Sequence, residues 1–312
     1  SSYRVIKDTT EENTFLEEKC KFNIISDQDN ELSNKISQCR AINGSAVFVL
    51  GDSHAKNILN ALGFSERYPF LIGIVQGGCR PHGCRENIDN QYTFFNEKVL
   101  PLINEDDVII FHQSGSYFLK DINGNNNQTL IFKDGVYSID KDRISITDDY
   151  LSKISLKTKA KLIWLTPFIE YRKNPKEIIS EIRINKSYEK YKTINPNSIS
   201  AFEELEESFK NLNSKDYQII IFNDFYNVSY EAEILDVNDK YCFQFKDSDH
   251  FSRCGEKILG DGANFKLIEF DLMDNVPLAS CMTLPPAVLT FTVLKNVETP
   301  KLLNCVENKV LL

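Results

Sequence analysis

Five short apolar runs punctuate the chain, at residues 46–50, 70–75, 107–112, 161–166 and 217–222. They are rich in Val, Ile and Phe with few polar interruptions, the make-up of strands covered on both faces of a parallel sheet. Between them, residues 55–62, 92–103, 149–156 and 199–212 read as helices. Such alternation predicts an α/β fold, a central and mainly parallel sheet with helices on both faces.

Three regions stand outside this rhythm. Residues 1–40 form a polar N-terminal extension with one helix expected around 26–38. Residues 117–140 carry two turn signals, Asn123-Gly124 and Asp134-Gly135, which predict a hairpin-like insertion. The repeating domain therefore occupies 41–265. The tail 266–312, with Pro285-Pro286, has no counterpart in the pattern.

Bulk properties narrow the class. The chain has 312 residues, 42% hydrophobic and 26% charged, which is ordinary globular composition. A formal net charge of -9 argues against a nucleic-acid partner, because phosphate binding needs a basic surface. The lysines at 153, 157, 159 and 161 read as a solvated helix face and strand lead-in. No run approaches the roughly 18 apolar residues of a membrane helix. Beginning at Ser1-Ser2, the chain reads as an excised domain or processed form, so missing targeting segments carry no information.

The eight cysteines fall as near neighbours: Cys20 and Cys39, Cys79 and Cys84, Cys242 and Cys254, Cys281 and Cys305. An even count favours disulfides and an oxidising compartment, periplasmic or extracellular. The rival is zinc held by Cys79, His82 and Cys84, but no second ligand pair completes that set, and no metal is expected. Four glycosylation sequons, at Asn43, Asn127, Asn185 and Asn227, matter only for a chain made in a eukaryotic secretory pathway.

Two segments carry candidate chemistry. The first apolar run opens into Gly51-Asp52-Ser53-His54. Open α/β sheets bind ligands at the carboxyl ends of strands, which is where Ser53 stands. At a helix start, free N–H groups and the helix dipole would stabilise an oxyanion. A serine there is also a common plain helix cap. The second segment, Asp247-Ser248-Asp249-His250, sets an acid three residues before a base. A carboxylate on Nδ1 would fix the imidazole tautomer and aim Nε2 at a serine. Asp249 is the competing acid, and a solvated polar loop is the plain alternative.

Together, G-D-S-H after a first strand and D-x-x-H-F-S before a last helix resemble the SGNH (GDSL-like) hydrolase superfamily. More narrowly, the chain resembles the SGNH domain fused to membrane acyltransferase-3 proteins, which O-acetylate bacterial surface glycans. The likeness spans roughly residues 40–262. It implies a flavodoxin-like three-layer sandwich, a catalytic Ser53, His250 and Asp247, and no cofactor. It also implies an oxyanion hole from the Ser53 N–H and the N–H of Gly78 or Gly77, in Gln76-Gly77-Gly78-Cys79. The family's G-x-N-D block is missing. His112-Gln113-Ser114-Gly115 stands in its place, with the Gln113 amide as substitute donor and His112 as the lesser choice. His54, Arg80 and His112 are the candidate substrate contacts, with His82 and Arg85 close by, and Thr166-Pro167-Phe168 is expected to line the pocket.

The implied activity is serine-dependent acyl transfer, most simply O-acetylation of a cell-envelope polysaccharide with a membrane acyltransferase-3 module upstream. Two alternatives stay open: a secreted carbohydrate O-acetyl esterase, and a catalytically silent glycan-binding module.

Overall fold

The computed structural model describes residues 19–24, 31–84, 91–126, 131, 135–170, 196–212, 214–226, 234–236 and 241–261. The tail, Cys281 and Cys305, Arg85, and the sequons at Asn127, Asn185 and Asn227 lie outside them. Six parallel strands form the central sheet: β1 Lys21–Asn23, β2 Val47–Gly51, β3 Leu71–Val75, β4 Val108–His112, β5 Lys161–Leu165 and β6 Gln218–Ile220. Their order is β1-β3-β2-β4-β5-β6, every neighbouring pair parallel. Leaving β1 aside, this is the flavodoxin order, and its topological switch point falls between β2 and β4.

All five residues of β2, of β3 and of β4 are buried, as their unbroken apolar make-up requires. The covering helices are α1 Leu32–Asn43, α2 Ser53–Phe64, α3 Lys141–Ser155, α4 Pro196–Lys210 and α5 Arg253–Asp261. Trp164 on β5 packs edge-on against Phe111 and Phe209 in the core.

The pattern and the structure differ in instructive places. Strand β1 lies in the polar lead-in: it pairs with β3 along Lys21↔Leu71 to Asn23↔Gly73. Three residues at a sheet edge are too few for a period-2 signal. The following helix runs Leu32–Asn43, later than the 26–38 expected, of which 26–30 lie outside the described residues. Gly44, at φ 78°, takes the left-handed turn that ends it. A disulfide, Cys20–Cys39, and the half-buried Arg40–Asp107 ion pair at 2.5 Å join this region to the sheet. The helix expected at 92–103 is broken into an α turn, a π segment and a 3-10 turn. Pro101 sits in the last, and it has no N–H to continue an α ladder. Last, β6 ends at Ile220, because residues Phe222–Phe225 turn helical.

Within 117–140, Leu119–Lys120 pairs antiparallel with Ser138–Ile139 to make a small ribbon. Among the described residues, no helix is long and apolar enough to cross a membrane.

Candidate active site

Gly51 ends β2 with φ 150°, and a side chain there would put its Cβ 1.8 Å from the His112 carbonyl oxygen. Only glycine allows the chain to leave the sheet this close to β4. The helix cap is Asp52, whose Oδ1 accepts from the His54 N–H at 2.9 Å. Ser53 is therefore the first residue of α2, and its hydroxyl is not used as a cap.

The second segment is held by a tight loop. Phe245 and Phe251 form an isolated antiparallel bridge, and the Lys246 N–H donates to the His250 carbonyl at 3.0 Å. Asp247 Oδ1 accepts the backbone N–H groups of Asp249 (3.0 Å) and His250 (2.7 Å). Helix α5 then packs backbone-close on α2: a Cβ at Gly260 would lie 2.0 Å from the Ala61 carbonyl. Across that interface Asn57 donates to Glu256 at 2.5 Å, and the Phe251 N–H donates to Asn57 Oδ1 at 3.3 Å. These bonds bring the His250 loop onto the first turn of α2.

The result joins the two distant segments. Ser53 Oγ lies 2.9 Å from His250 Nε2, and His250 Nδ1 lies 3.2 Å from each Asp247 carboxylate oxygen. Asp249 is also present, with Oδ1 3.3 Å from Nδ1 and Oδ2 3.5 Å from His54 Nε2. Burial opposes a charged His250, but hydrogen bonds to Asp247 and Asp249 outweigh it and raise its pKa to about 10.

The remaining sequence candidates fall into place unevenly. Gly77 neighbours the nucleophile, a Cβ built on it lying 3.8 Å from Ser53 Cβ, and Gly78 adopts φ 85°. Gln113 is fully buried, and among the described residues neither its amide nitrogen nor its oxygen has a partner. Leaving a buried polar group unpaired costs about 1–3 kcal/mol, so the position is not one that packing alone favours.

His112 is fully buried, and burial lowers its pKa to about 4. Its Nδ1 lies 3.0 Å from the Leu165 carbonyl, an acceptor, so the single ring proton sits on Nδ1. His112 Nε2 is then an acceptor and offers no N–H to an oxyanion. Arg80 is buried too. Its guanidinium lies over the Tyr117 ring and 3.1 Å from Asp52, so it has internal partners where the sequence suggested a substrate contact. His54 is 2% exposed, placed between Asp249 and Glu170. His82 contacts Phe118, and burial with nearby Arg143 and Arg80 lowers its pKa to about 4. Phe168 is fully buried, its ring 5.1 Å from His54 and 4.8 Å from Phe251.

Cys79 and Cys84, two of the three suggested zinc ligands, are joined to each other as a disulfide. Cys254 is disulfide-bonded as well.

Sequence reading missed Glu170, Asn57 and Glu256. Asn57 stands one helical turn after Ser53 and Glu256 in the first turn of α5, so helical phasing offered a weak signal for both. Glu170 had none. It is fully buried, accepts from the Gly115 N–H at 2.5 Å and from Ser114 Oγ at 2.9 Å, and so pins the loop that carries Gln113.

Burial raises Glu256 from 4.5 to about 7, against the hydrogen bonds from Asn60 and Asn57. The folded state therefore holds this proton more tightly than the unfolded chain, and stability falls as pH rises between those two values. The full effect is on the order of 3 kcal/mol. Urea unfolding of wild type should show this loss, whereas Glu256→Gln, which keeps an oxygen acceptor for both asparagines, should show a flatter profile. Equal slopes in the two proteins would overturn the assignment.

Ser53 thus stands at the sheet's switch point with a histidine and a carboxylate behind it. The sequence model for the SGNH domain fused to AT3 domains matches residues 20–262, and the chain belongs to that family. The match begins twenty residues earlier than the likeness read from the motifs, taking in β1. Among solved structures, the chain is similar to the periplasmic domain of a lipopolysaccharide acetyltransferase from Salmonella ser. Paratyphi A. Identity is 18% over 75% of this chain and 88% of that one, with a TM-score of 0.51. A protein from Slackia heliotrinireducens assigned to the SGNH hydrolases aligns at 10% identity over 69% of this chain and 95% of its own, with a TM-score of 0.34. No curated protein matches the chain.

Proposed function

We propose that this chain transfers an acyl group, most simply acetyl, to a hydroxyl of a cell-envelope glycan through an acyl-Ser53 intermediate. The observation that carries the reading is the 2.9 Å contact between Ser53 Oγ and His250 Nε2, with Asp247 on the far side of the ring. In the first half-reaction His250 Nε2 takes the Ser53 proton as Oγ attacks the acyl carbonyl carbon. The imidazolium then returns that proton to the departing oxygen as its bond to the acyl carbon breaks. In the second, an acceptor hydroxyl gives its proton to His250 and attacks the acyl carbon, and Ser53 leaves with the proton restored.

Asp247 is the orienting acid in this scheme. Two backbone N–H groups fix its carboxylate, which then meets Nδ1 with both oxygens. The oxyanion donors are the Ser53 N–H, a Gly77 or Gly78 N–H and the Gln113 amide, whose nitrogen has no partner among the described residues. One such donor is worth about 3 kcal/mol of transition-state stabilisation, so Gln113→Ala should slow the reaction about a hundredfold.

Membership of a family of domains fused to AT3 domains supports a membrane acyltransferase-3 module as the partner that supplies the acyl group. The Cys20–Cys39 and Cys79–Cys84 disulfides support a periplasmic or extracellular setting.

The test is to expose the protein to an activated acetyl ester with and without an oligosaccharide acceptor. Acetyl should appear on the peptide bearing Ser53 and then on the sugar. Release of acetate at a rate no sugar alters would replace this reading with that of an esterase. No acetyl on Ser53 at all would leave the silent glycan-binding module.

His250 must be neutral to act as base, so the ester-cleavage rate should climb with pH from neutrality toward about 10. A limb centred in the ordinary histidine range would contradict the two-carboxylate environment.

A further inference from the structure

Behind Ser53 stands a second histidine that this mechanism does not use. His54 is 2% exposed and Glu170 is fully buried. His54 Nδ1 lies 3.8 Å from Glu170 Oε1 on one side, and Nε2 lies 3.5 Å from Asp249 Oδ2 on the other. The other oxygen of Asp249 is 3.3 Å from His250 Nδ1. One carboxylate thus bridges two imidazoles whose ring centres are 4.8 Å apart.

We propose that His54, with Glu170 as a charge neighbour rather than a hydrogen-bond partner, is a positioning residue that ties down Asp249 and so favours Asp247 at His250 Nδ1. The inference rests on the acyl-transfer reading for its consequence in catalysis, but the bridge itself does not depend on turnover. The reasoning is one of competition. Asp247 and Asp249 stand at nearly equal distances from Nδ1, yet only Asp247 has its carboxylate anchored by two backbone N–H groups. Apart from its histidine contacts, Asp249 has the Ser248 hydroxyl at 3.1 Å. Without a second cation to hold its outer oxygen, Asp249, already 3.3 Å from Nδ1, would be free to close on it and pull the ring from the line to Ser53.

Burial disfavours charge on His54 and on Glu170 alike; the two favour charge on each other, and with Asp249 beside it the His54 pKa is raised despite burial. The charged and titratable groups facing the pair are Glu170, Asp52 with its partner Arg80, Asp247 and Asp249. His112 stands at 6.5 Å from His54, neutral by burial.

The chain has four histidines, at 54, 82, 112 and 250, so imidazole-resolved NMR titration can follow each one. In the His54→Gln variant the His250 titration should move about one pH unit further alkaline, because a neighbouring positive charge is lost. Ester cleavage should report the same bridge. In the wild-type background Asp247→Asn should cost about a hundredfold or more, whereas in His54→Gln it should cost several-fold less, as the released Asp249 substitutes. An unmoved His250 titration together with costs that simply multiply would reduce His54 to packing and overturn the proposal.

Should His54→Gln fail to fold, the more exposed Asp249→Asn carries the test. It should lower the titration midpoints of both His54 and His250, and a His54 midpoint that stays put would overturn the bridge. If the titrations behave as stated while no ester is cleaved, the bridge stands and the acyl-transfer reading falls.

Discussion

Replacing Ser53 by alanine is expected to abolish covalent labelling by a fluorophosphonate and to slow acetyl-ester cleavage about ten-thousand-fold or more. The expectation follows from the contact at 2.9 Å between Ser53 Oγ and His250 Nε2 and from the site of Ser53 at the first turn of α2. There the hydroxyl is within hydrogen-bond reach of the base, and the acyl-transfer reading makes it the nucleophile. His250→Ala should lose as much, and the double variant should lose little more, because nucleophile and base act as one unit. Labelling that persists in Ser53→Ala would remove the serine from the mechanism. So would losses that multiply in the double variant.

Gly51→Ala should have the largest effect on stability. Its Cβ would meet the backbone oxygen of His112 at 1.8 Å and the Ala55 side chain at 2.7 Å, and neither is the movable end of a long side chain. The backbone there, at φ 150°, is also a conformation that alanine resists. A loss above about 4 kcal/mol is expected, read as a fall in Tm of roughly 10 °C or more. Gly77→Ala is the matched control: the nearest neighbour of its Cβ is Ser53 Cβ at 3.8 Å, ordinary contact, so the fold should tolerate it. If Gly51→Ala melts like wild type, strands β2 and β4 do not approach as described.

The central strands were readable in the chain because each is covered on both faces. Burial on both sides leaves an unbroken apolar run, and 46–50, 70–75, 107–112 and 161–166 match β2 to β5 within a residue or so at each end. Strand β1 was not readable. Its residues Lys21, Phe22 and Asn23 owe their place to pairing with β3 and to the Cys20–Cys39 link, both non-local. The composite helix ending at Leu102 shows the converse: its apolar spacing is helical, but Pro101 interrupts the ladder that spacing implies.

For the site, the chain by itself determined which chemical groups were available. The motifs named a serine after the first central strand and an acid–base pair before the last helix, and they placed Gly77 and Gln113 after the strands on either side. Only the tertiary structure decided what those groups do to one another. It set Ser53 against His250 by packing α5 on α2 at Gly260, and it anchored Asp247 rather than Asp249 with backbone donors. It turned Arg80 and His112 inward, and it placed Glu170 behind His54, where no motif pointed. The physical reason is range. Strand burial and turn chemistry are written into neighbouring residues, whereas a proton's position and a carboxylate's partner depend on distances of a few ångströms between segments nearly two hundred residues apart.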